Sequence, residues 1–365
     1  MVTGDPFMMV VLFVIATFVC LYTFINLSFL PKLSEPVLPP SLAICIPLRN
    51  EERNVEKLIR SLRQALHPNM HVYLYEDRST DQTRDLLVRL VGGEDQFTII
   101  DGLDLPSGWA GKVHACHQLA SATHEEYLLF LDADITLAAD TIPRLYATLQ
   151  KEQAVFLSGF PSFPVPTFLG KCLIPMQHVL IAQHLPIAFR KVKHPAFAAA
   201  NGMVVLVERK AYEHVGGHQA IQMALVDDLE LCRAFKQNGF TTTLVHVAPY
   251  VSCDMYATNR DVWQGFLKNV FRGMNDSYAV GSYFLLFYLV QAAALPLVFI
   301  FPSIWTLGAF LLIMIARYRI DRKAMIFHAW FWHPLAVILY VVLLATAMIR
   351  RFNKREISWK GRTYS

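Results

Sequence analysis

The sequence predicts an α/β domain, a parallel sheet covered by helices, held between membrane segments at its two ends. Three observations carry that prediction. Short apolar runs of strand composition alternate with amphipathic helical stretches between Ser41 and Tyr278. Long uncharged runs are confined to the two ends of the chain. Finally, 54% of the 365 residues are hydrophobic and only 17% are charged, whereas an ordinary soluble domain is about a quarter charged. A mean hydropathy of +0.35 excludes a disordered chain, and a net charge of +4 is too small to imply nucleic acid or another polyanion as partner. The six cysteines are widely spaced with no C-x-x-C pair, which suggests neither a zinc site nor a disulfide framework.

The N-terminal run, Phe7 to Leu30, carries no charge and is long enough to cross a ~30 Å hydrocarbon core. It lacks the basic start and small-residue cleavage site of a signal peptide, and is expected to stay as an anchor. At the other end, residues 279–301, 303–316 and 325–349 are apolar. Arg317, Arg319, Arg322 and Lys323 lie between them, and Arg350, Arg351, Lys354 and Arg355 follow. Both basic clusters favour the cytoplasm. Three full crossings would place them on opposite sides, while a re-entrant or interfacial 303–316 segment would put one cluster back, so the topology stays open.

In the soluble part, residues 43–46, 72–75, 97–100 and 127–131 are expected strands, alternating with helices over 55–66, 81–91 and 112–122. Ligands of such sheets sit beyond the C-terminal strand ends. The residues there are polar and often acidic: Pro47-Leu-Arg49-Asn50-Glu51 after the first strand, Glu76-Asp77 after the second, Asp132-Ala-Asp134 after the fourth. No G-x-G-x-x-G follows the first strand, so a dinucleotide fold is unsupported. Gly108-Trp-Ala-Gly111-Lys112 has the wrong glycine spacing for a P-loop and places Val113 where Ser or Thr should bind magnesium.

Two carboxylates ending a buried strand are costly unless they meet a cation or a hydrogen-bonding ligand. Asp132 and Asp134 therefore suggest Mg²⁺ or Mn²⁺ holding a diphosphate; the bland alternative is a turn in which Asp134 caps a helix over 135–150. Asp227-Asp228 opens another amphipathic helix. The pair is either a bland helix-start charge or includes a general base for an attacking hydroxyl. Lys112, at a helix start, meets phosphate or solvent. His114 and His117 are expected to pack rather than bind zinc. The apolar stretch Phe168 to Phe189 is either core or an interfacial helix feeding a lipid to the site.

Together these residues resemble a family 2 glycosyltransferase of the GT-A fold. The resemblance runs through Pro47-x-Arg49-Asn50-Glu51-Glu52, Glu76-Asp77-x-Ser79-x-Asp81-x-Thr83, Gly108-Trp109-x-Gly111-Lys112, Asp132-Ala-Asp134, Asn201-Gly202, Arg209-x-Ala-Tyr212, Gly216-Gly217-His218 and Asp227-Asp228. With the membrane segments, the ending Trp359-Lys360-Gly361-Arg362-x-Tyr364 is similar to bacterial hopene-associated and carotenoid (diaponeurosporenoate) glycosyltransferases. The resemblance implies a mostly parallel sheet with helices on both faces. The implied domains are an anchor over 1–31, a catalytic domain over 32–278, membrane segments over 279–349 and a basic tail over 350–365. It implies inverting transfer of one sugar from a nucleotide sugar, a UDP-sugar by expectation, to a membrane lipid, with the catalytic domain on the cytoplasmic face of the cell membrane.

By position, the resemblance makes Asp228 the base and Asp134, with Asp132, the metal ligand for Mg²⁺ or Mn²⁺. Pro47, Arg49, Glu51, Glu76, Asp77, Lys112, Asp132, Asp227 and Lys268 would border the nucleotide sugar. Two departures keep the charge: Glu76 stands where Asp is usual, and Asp227 where Glu is usual. The Q-x-x-R-W of processive synthases is missing; Trp263-Gln-Gly-Phe-Leu-Lys268-Asn269 stands in that region, which favours one sugar per acceptor over a polymer. A catalytically silent lipid-binding or transport protein is the third reading. The acidic edge argues against silence, and the lack of ionisable residues within the apolar segments argues against transport.

Overall fold

A computed structural model describes residues 5–353 and the backbone of 357–359 and 362–364. Lys354, Arg355, Lys360 and Gly361, named above in the tail and ending motif, lie outside the described residues. In chain order the elements are α1 (Pro6–Ser28), β1 (Leu42–Leu48), α2 (Val55–Ala65), β2 (Met70–Glu76), α3 (Thr83–Val91), β3 (Phe97–Asp101), α4 (Gly111–Ser121) and β4 (Tyr127–Leu131). Next come β5 (Ile135–Leu137), α5 (Thr141–Lys151), β6 (Phe156–Gly159), α6 (Phe168–Leu173), α7 (Met176–His184), β7 (Val204–Glu208), α8 (Arg209–His214), α9 (Asp227–Gln237), β8 (Thr242–Val245) and β9 (Val251–Cys253). The remaining helices are α10 (Asn259–Asn269), α11 (Tyr278–Ile300), α12 (Ile304–Lys323) and α13 (His333–Phe352), followed by paired strands β10 (Ile357–Trp359) and β11 (Arg362–Tyr364).

These form two compact units that are not contiguous in sequence. One holds residues 30–162 and 186–255; the other holds 1–29, 163–185 and 256–365. The first is the α/β unit. Its seven strands run in the order β3-β2-β1-β4-β7-β6-β8. β1, β2, β3 and β4 are mutually parallel, while β7 runs antiparallel to β4 and β6. α2 covers the sheet because Val55, Leu58, Ile59, Leu62 and Ala65 recur at helical spacing and are all fully buried. Ala43, Cys45, Leu119, Leu128, Phe130, Phe156, Val207 and Phe235 belong to a second buried layer.

The expected strands and first three helices are present, each within about two residues of its predicted bounds. The helix over 135–150 is corrected: residues 135–137 form β5, paired antiparallel with β9, and the helix starts only at Thr141. The β-branched residues Ile135 and Thr136 favour the strand. Asp134 therefore does not cap that helix.

The second unit is helical. α1 packs against α12 through Leu12, Ala16, Ala309 and Ile313, and Gly308 gives Phe13 room that a Cβ at 2.8 Å from its ring would remove. Asn26 donates to the carbonyls of Ala182 (2.9 Å) and Leu185 (2.6 Å), tying α1 to the end of α7. Tyr288 and Tyr340 join α11 to α13 edge to face, 5.1 Å apart. Pro6–Ser28, Tyr278–Ile300 and Ala329–Phe352 are each long and apolar enough to cross a membrane. The apolar 303–316 segment is the first part of a longer helix, since α12 continues through charged residues to Lys323, and α12 is not one of these three. Arg317 and Asp321 lie one turn apart on it and are fully buried. The Arg317 Nε donates to the Asp321 Oδ1 at 2.8 Å, and its Nη1 lies 3.1 Å from His333 Nδ1. This pair lies beyond the apolar 303–316 segment and neutralises itself where it is buried.

Candidate active site

The acidic edge forms where parallel strands end and a reversed strand begins. β4 ends at Leu131, opposite Val204 at the start of β7, and the Asp132 N–H donates to the Met203 carbonyl. The antiparallel insertion of β7 thus brings the Asn201-Gly202 turn beside Asp132. The turn is held rigidly: Asn201 N–H donates to Ser158 Oγ (2.8 Å), and Met203 N–H donates to Asn201 Oδ1 (3.0 Å).

A shallow cleft open to solvent lies there. Pro47, Lys112, Cys116, Asp132, Gly202, His218, Asp227 and Asp228 line it. Lys112 enters from the first turn of α4, with its ammonium 2.7 Å from Asp132 Oδ1 and 3.7 Å from Asp227 Oδ2. Burial works against that charge, but Asp132 and Asp227 outweigh it and hold the lysine well above its usual range. Asp227 and Asp228 sit in the first turn of α9. Burial, and then the neighbouring Asp227 charge, pushes the Asp228 carboxyl up to about 7; Lys112 and the amides of Leu229 and Gly202 pull the other way. A carboxylate half-ionised near neutrality is poised to accept a proton.

Asp134 stands at the turn into β5. Its carbonyl accepts from Asp254 N–H at 2.9 Å, and the Cys253 thiol lies against its carboxylate. Among the described residues no group of three or more His, Cys, Asp or Glu side chains is placed to hold a metal ion. Asp132, paired with Lys112, lines the cleft and Asp134 does not; between them they would supply two carboxylates at most. That donor set fits an ion of the Mg²⁺ or Mn²⁺ type whose remaining ligands are water and diphosphate oxygens, and does not fit a preformed all-protein cage.

Residues 43–199 match the model of glycosyl transferase family 2. This segment belongs to that family. The glycosyltransferase segment runs from β1 through the Asp132–Asp134 turn and stops just before Asn201. The chain is 27% identical over 252 residues to a 4,4'-diaponeurosporenoate glycosyltransferase of Staphylococcus aureus strain bovine RF122 / ET3-1, covering 64% of this chain and 61% of the relative. It is 25% identical over 236 residues to the protein of the same name from strain MRSA252. The chain thus spans 61% of the length of these curated relatives. The fold is similar to that of the mannosyltransferase PcManGT from Pyrobaculum calidifontis, solved in complex with GDP-Man and Mn²⁺. Their TM-score is 0.54 at 14% identity, over 95% of this chain and 99% of that one.

In the glycosyltransferase segment, the remaining expected residues lie at the neighbouring strand ends. The loops after β1 and β2 interlock. Arg49 Nη1 donates to the Asp77 carbonyl (2.6 Å), Asn50 N–H to Ser79 Oγ (3.0 Å) and Glu51 N–H to Thr83 Oγ1 (2.8 Å). Glu76 and Asp77 are buried, and Glu76 Oε1 accepts from Ser79 N–H at 2.6 Å. Asp81 is buried enough to raise its pKa, but the Thr83 hydroxyl and amide bonds outweigh this and lower it. Glu76 and Asp81 thus shape the loops with their carboxylates. Lys268 lies on α10, in the helical unit.

His114 and His117 pack against Trp109, at ring separations of 5.4 and 5.1 Å.

Three lining residues carried no assigned role in the sequence reading. Gly202 leaves space that a Cβ would close, 3.0 Å from Lys112 Nζ and 3.7 Å from Asp228 Cγ. Cys116 lies one turn after Lys112 on α4. His218 is buried, and burial lowers it to about 4, so its ring is neutral at pH 7. Its backbone N–H donates to the Tyr212 hydroxyl (3.0 Å), and that hydroxyl meets its Nδ1 at 2.8 Å. The motifs Asn201-Gly202 and Gly216-Gly217-His218 were the available signals, but only the β4–β7 pairing turns the first of them toward Asp132.

Proposed function

We propose that this protein transfers a single sugar, with inversion, from a nucleotide sugar to a membrane lipid. The observation that carries the reading is the cleft that gathers Lys112, Asp132, Asp227 and Asp228 where β4 ends and β7 begins. Asp228 takes the proton of the acceptor hydroxyl while that oxygen attacks the anomeric carbon. The bond from that carbon to the diphosphate oxygen breaks, and the nucleoside diphosphate leaves. A single displacement with one base inverts the anomeric centre.

Lys112 faces the departing diphosphate with a held positive charge. Asp132 and Asp134 would hold Mg²⁺ or Mn²⁺. That ion supplies neutralisation of the negative charge that develops on the leaving group; the Mn²⁺ bound by PcManGT supports this assignment. The loops of Arg49, Glu51, Glu76 and Asp77 border the nucleoside. UDP-sugar is the proposed donor class. Hopanoid alcohols and glycerolipids are the proposed acceptors that need Asp228 as base; the Staphylococcus relatives' name supports a polyisoprenoid carboxylic acid as a further acceptor, whose carboxylate is already ionised and would weaken the role given to Asp228. The three long apolar helices support a multi-pass membrane protein, and the cytoplasmic face is the side proposed for its site.

The test is Asp228→Asn. Nucleoside diphosphate release and labelled-lipid formation should fall by about 10²–10⁴-fold, while UDP-sugar affinity stays near that of the unmodified protein. Retained turnover would remove Asp228 as the base. Mass spectrometry of the products should show one added sugar per lipid; a ladder of lengths would instead indicate a polymer synthase.

A further inference from the structure

A basic, partly apolar loop of the α/β unit has no role in the cleft chemistry. The chain leaves the helical unit at Leu185, and the next residues, 186–198, form this loop. Phe189 is 51% and Val192 39% exposed, and Lys191, Lys193 and His194 are exposed beside them. No acidic residue occurs between Glu152 and Glu208.

The loop is built to hold this shape. Residues 187–189 form one 3₁₀ turn. Buried Lys236 donates its ammonium to the carbonyls of Arg190 (2.7 Å) and Val192 (2.6 Å). Glu152 accepts from Arg190 (2.9 Å) and pairs with Lys191 (3.1 Å). Phe197 packs on Phe189, ring centroids 5.4 Å apart. One positive charge of the Arg190–Lys191–Glu152 group is left over, and Lys193 adds a second. Solvated lysines alone would need no explanation, but here Phe189 and Val192 alternate with the cations and are fixed outward. That combination suits a surface with anionic headgroups above acyl chains. A free anion would leave the two apolar side chains unused.

We infer that residues 188–194 form a preorganised contact for an anionic lipid bilayer, with Phe189 and Val192 entering the headgroup layer and Lys191 and Lys193 meeting the lipid charges. The partner is the membrane surface itself, independent of which sugar or acceptor the cleft uses.

The test places a nitroxide on Val192→Cys in the full chain; the six native cysteines are buried, so the label goes to the new thiol. The protein is studied in nanodiscs of phosphatidylcholine with a quarter phosphatidylglycerol, and in phosphatidylcholine alone. In the anionic discs the label should be reached by oxygen in preference to a water-soluble nickel complex, and much less so in the neutral discs. Lys191→Gln with Lys193→Gln should lower the inserted fraction by about fivefold per lysine. A second reporter, Phe189→Trp, should be quenched by lipids carrying a doxyl group near the headgroup. The inference is overturned if nickel reaches the label in anionic discs as freely as a label at exposed Arg60→Cys. It is equally overturned if protection is the same in both lipids, or if soluble polyglutamate or inorganic phosphate displaces the label from the anionic discs.

Discussion

Replacing Asp227 by Asn should move the acid limb of the pH–rate profile to lower pH. Asp228 is raised to about 7 by burial first and by the Asp227 charge second, with Lys112 opposing both. In the free enzyme about half of Asp228 is therefore ionised at pH 7 and about a tenth at pH 6. If that group is the base, kcat/KM should fall nearly tenfold per pH unit below 7. Like charges close enough to shift one another, generally about 4–6 Å apart, interact by roughly 3–4 kcal/mol at an effective dielectric constant of ~20, or about two to three pKa units. Lys112, 3.7 Å from Asp227, already offsets part of this, so a downward shift of about one unit is expected. The sign follows from charge: removing a neighbouring anion favours the ionised form of Asp228, so activity persists to lower pH. The assay is nucleoside diphosphate release in proteoliposomes of host lipids, with kcat/KM measured between pH 5 and 8.5. An acid limb that stays at 7 in Asp227→Asn would show that another group titrates, and the assignment of Asp228 would fail.

Three further predictions follow from the same geometry. Gly202→Ala should fold with little change in Tm, because the new methyl meets the mobile tip of Lys112. It should nevertheless lower kcat about tenfold by displacing that ammonium; an unchanged kcat would dissociate Lys112 from the chemistry. EDTA should stop transfer, and Mn²⁺ or Mg²⁺ should restore it; calorimetry should show tighter UDP-sugar binding with the ion present, an effect that Asp134→Asn removes. In the helical unit, Arg317→Ala leaves Asp321 buried without its guanidinium partner. It should cost roughly 3–5 kcal/mol in detergent-solubilised thermal unfolding, whereas Arg317→Met with Asp321→Leu should recover most of the loss.

Much of the fold was readable before any coordinates. Short continuous apolar runs placed β1 to β4 and amphipathic stretches placed α2 to α4: β1 and β4 are buried on both faces, so apolar residues run unbroken, whereas a helix such as α2 buries one face and repeats it at helical spacing. The misread helix over 135–150 shows the limit. Ile135-Thr-Leu137 is too short to display a period, and its pairing with residues 251–253 is more than a hundred positions away. α12 shows another limit: the apolar run ends at Ala316, but the helix does not, because Arg317 and Asp321 neutralise each other one turn apart and let it continue to Lys323.

The sequence alone determined that the apolar excess belongs to the chain's ends and that carboxylates gather at strand ends. Those are properties of composition and local spacing. The tertiary structure decided which of those carboxylates share a cleft. β7 runs against its neighbours, so its first turn, Asn201-Gly202, arrives at the edge where β4 delivers Asp132. α9 brings Asp227 and Asp228 to the same cleft, and Lys112 bridges between Asp132 and Asp227. The polarity of a strand within a sheet is set by pairing with distant residues, which no local pattern records. The same pairing puts Gly202 beside Lys112 and Asp228 and so helps to shape the charge environment that leaves Asp228 titrating near neutrality.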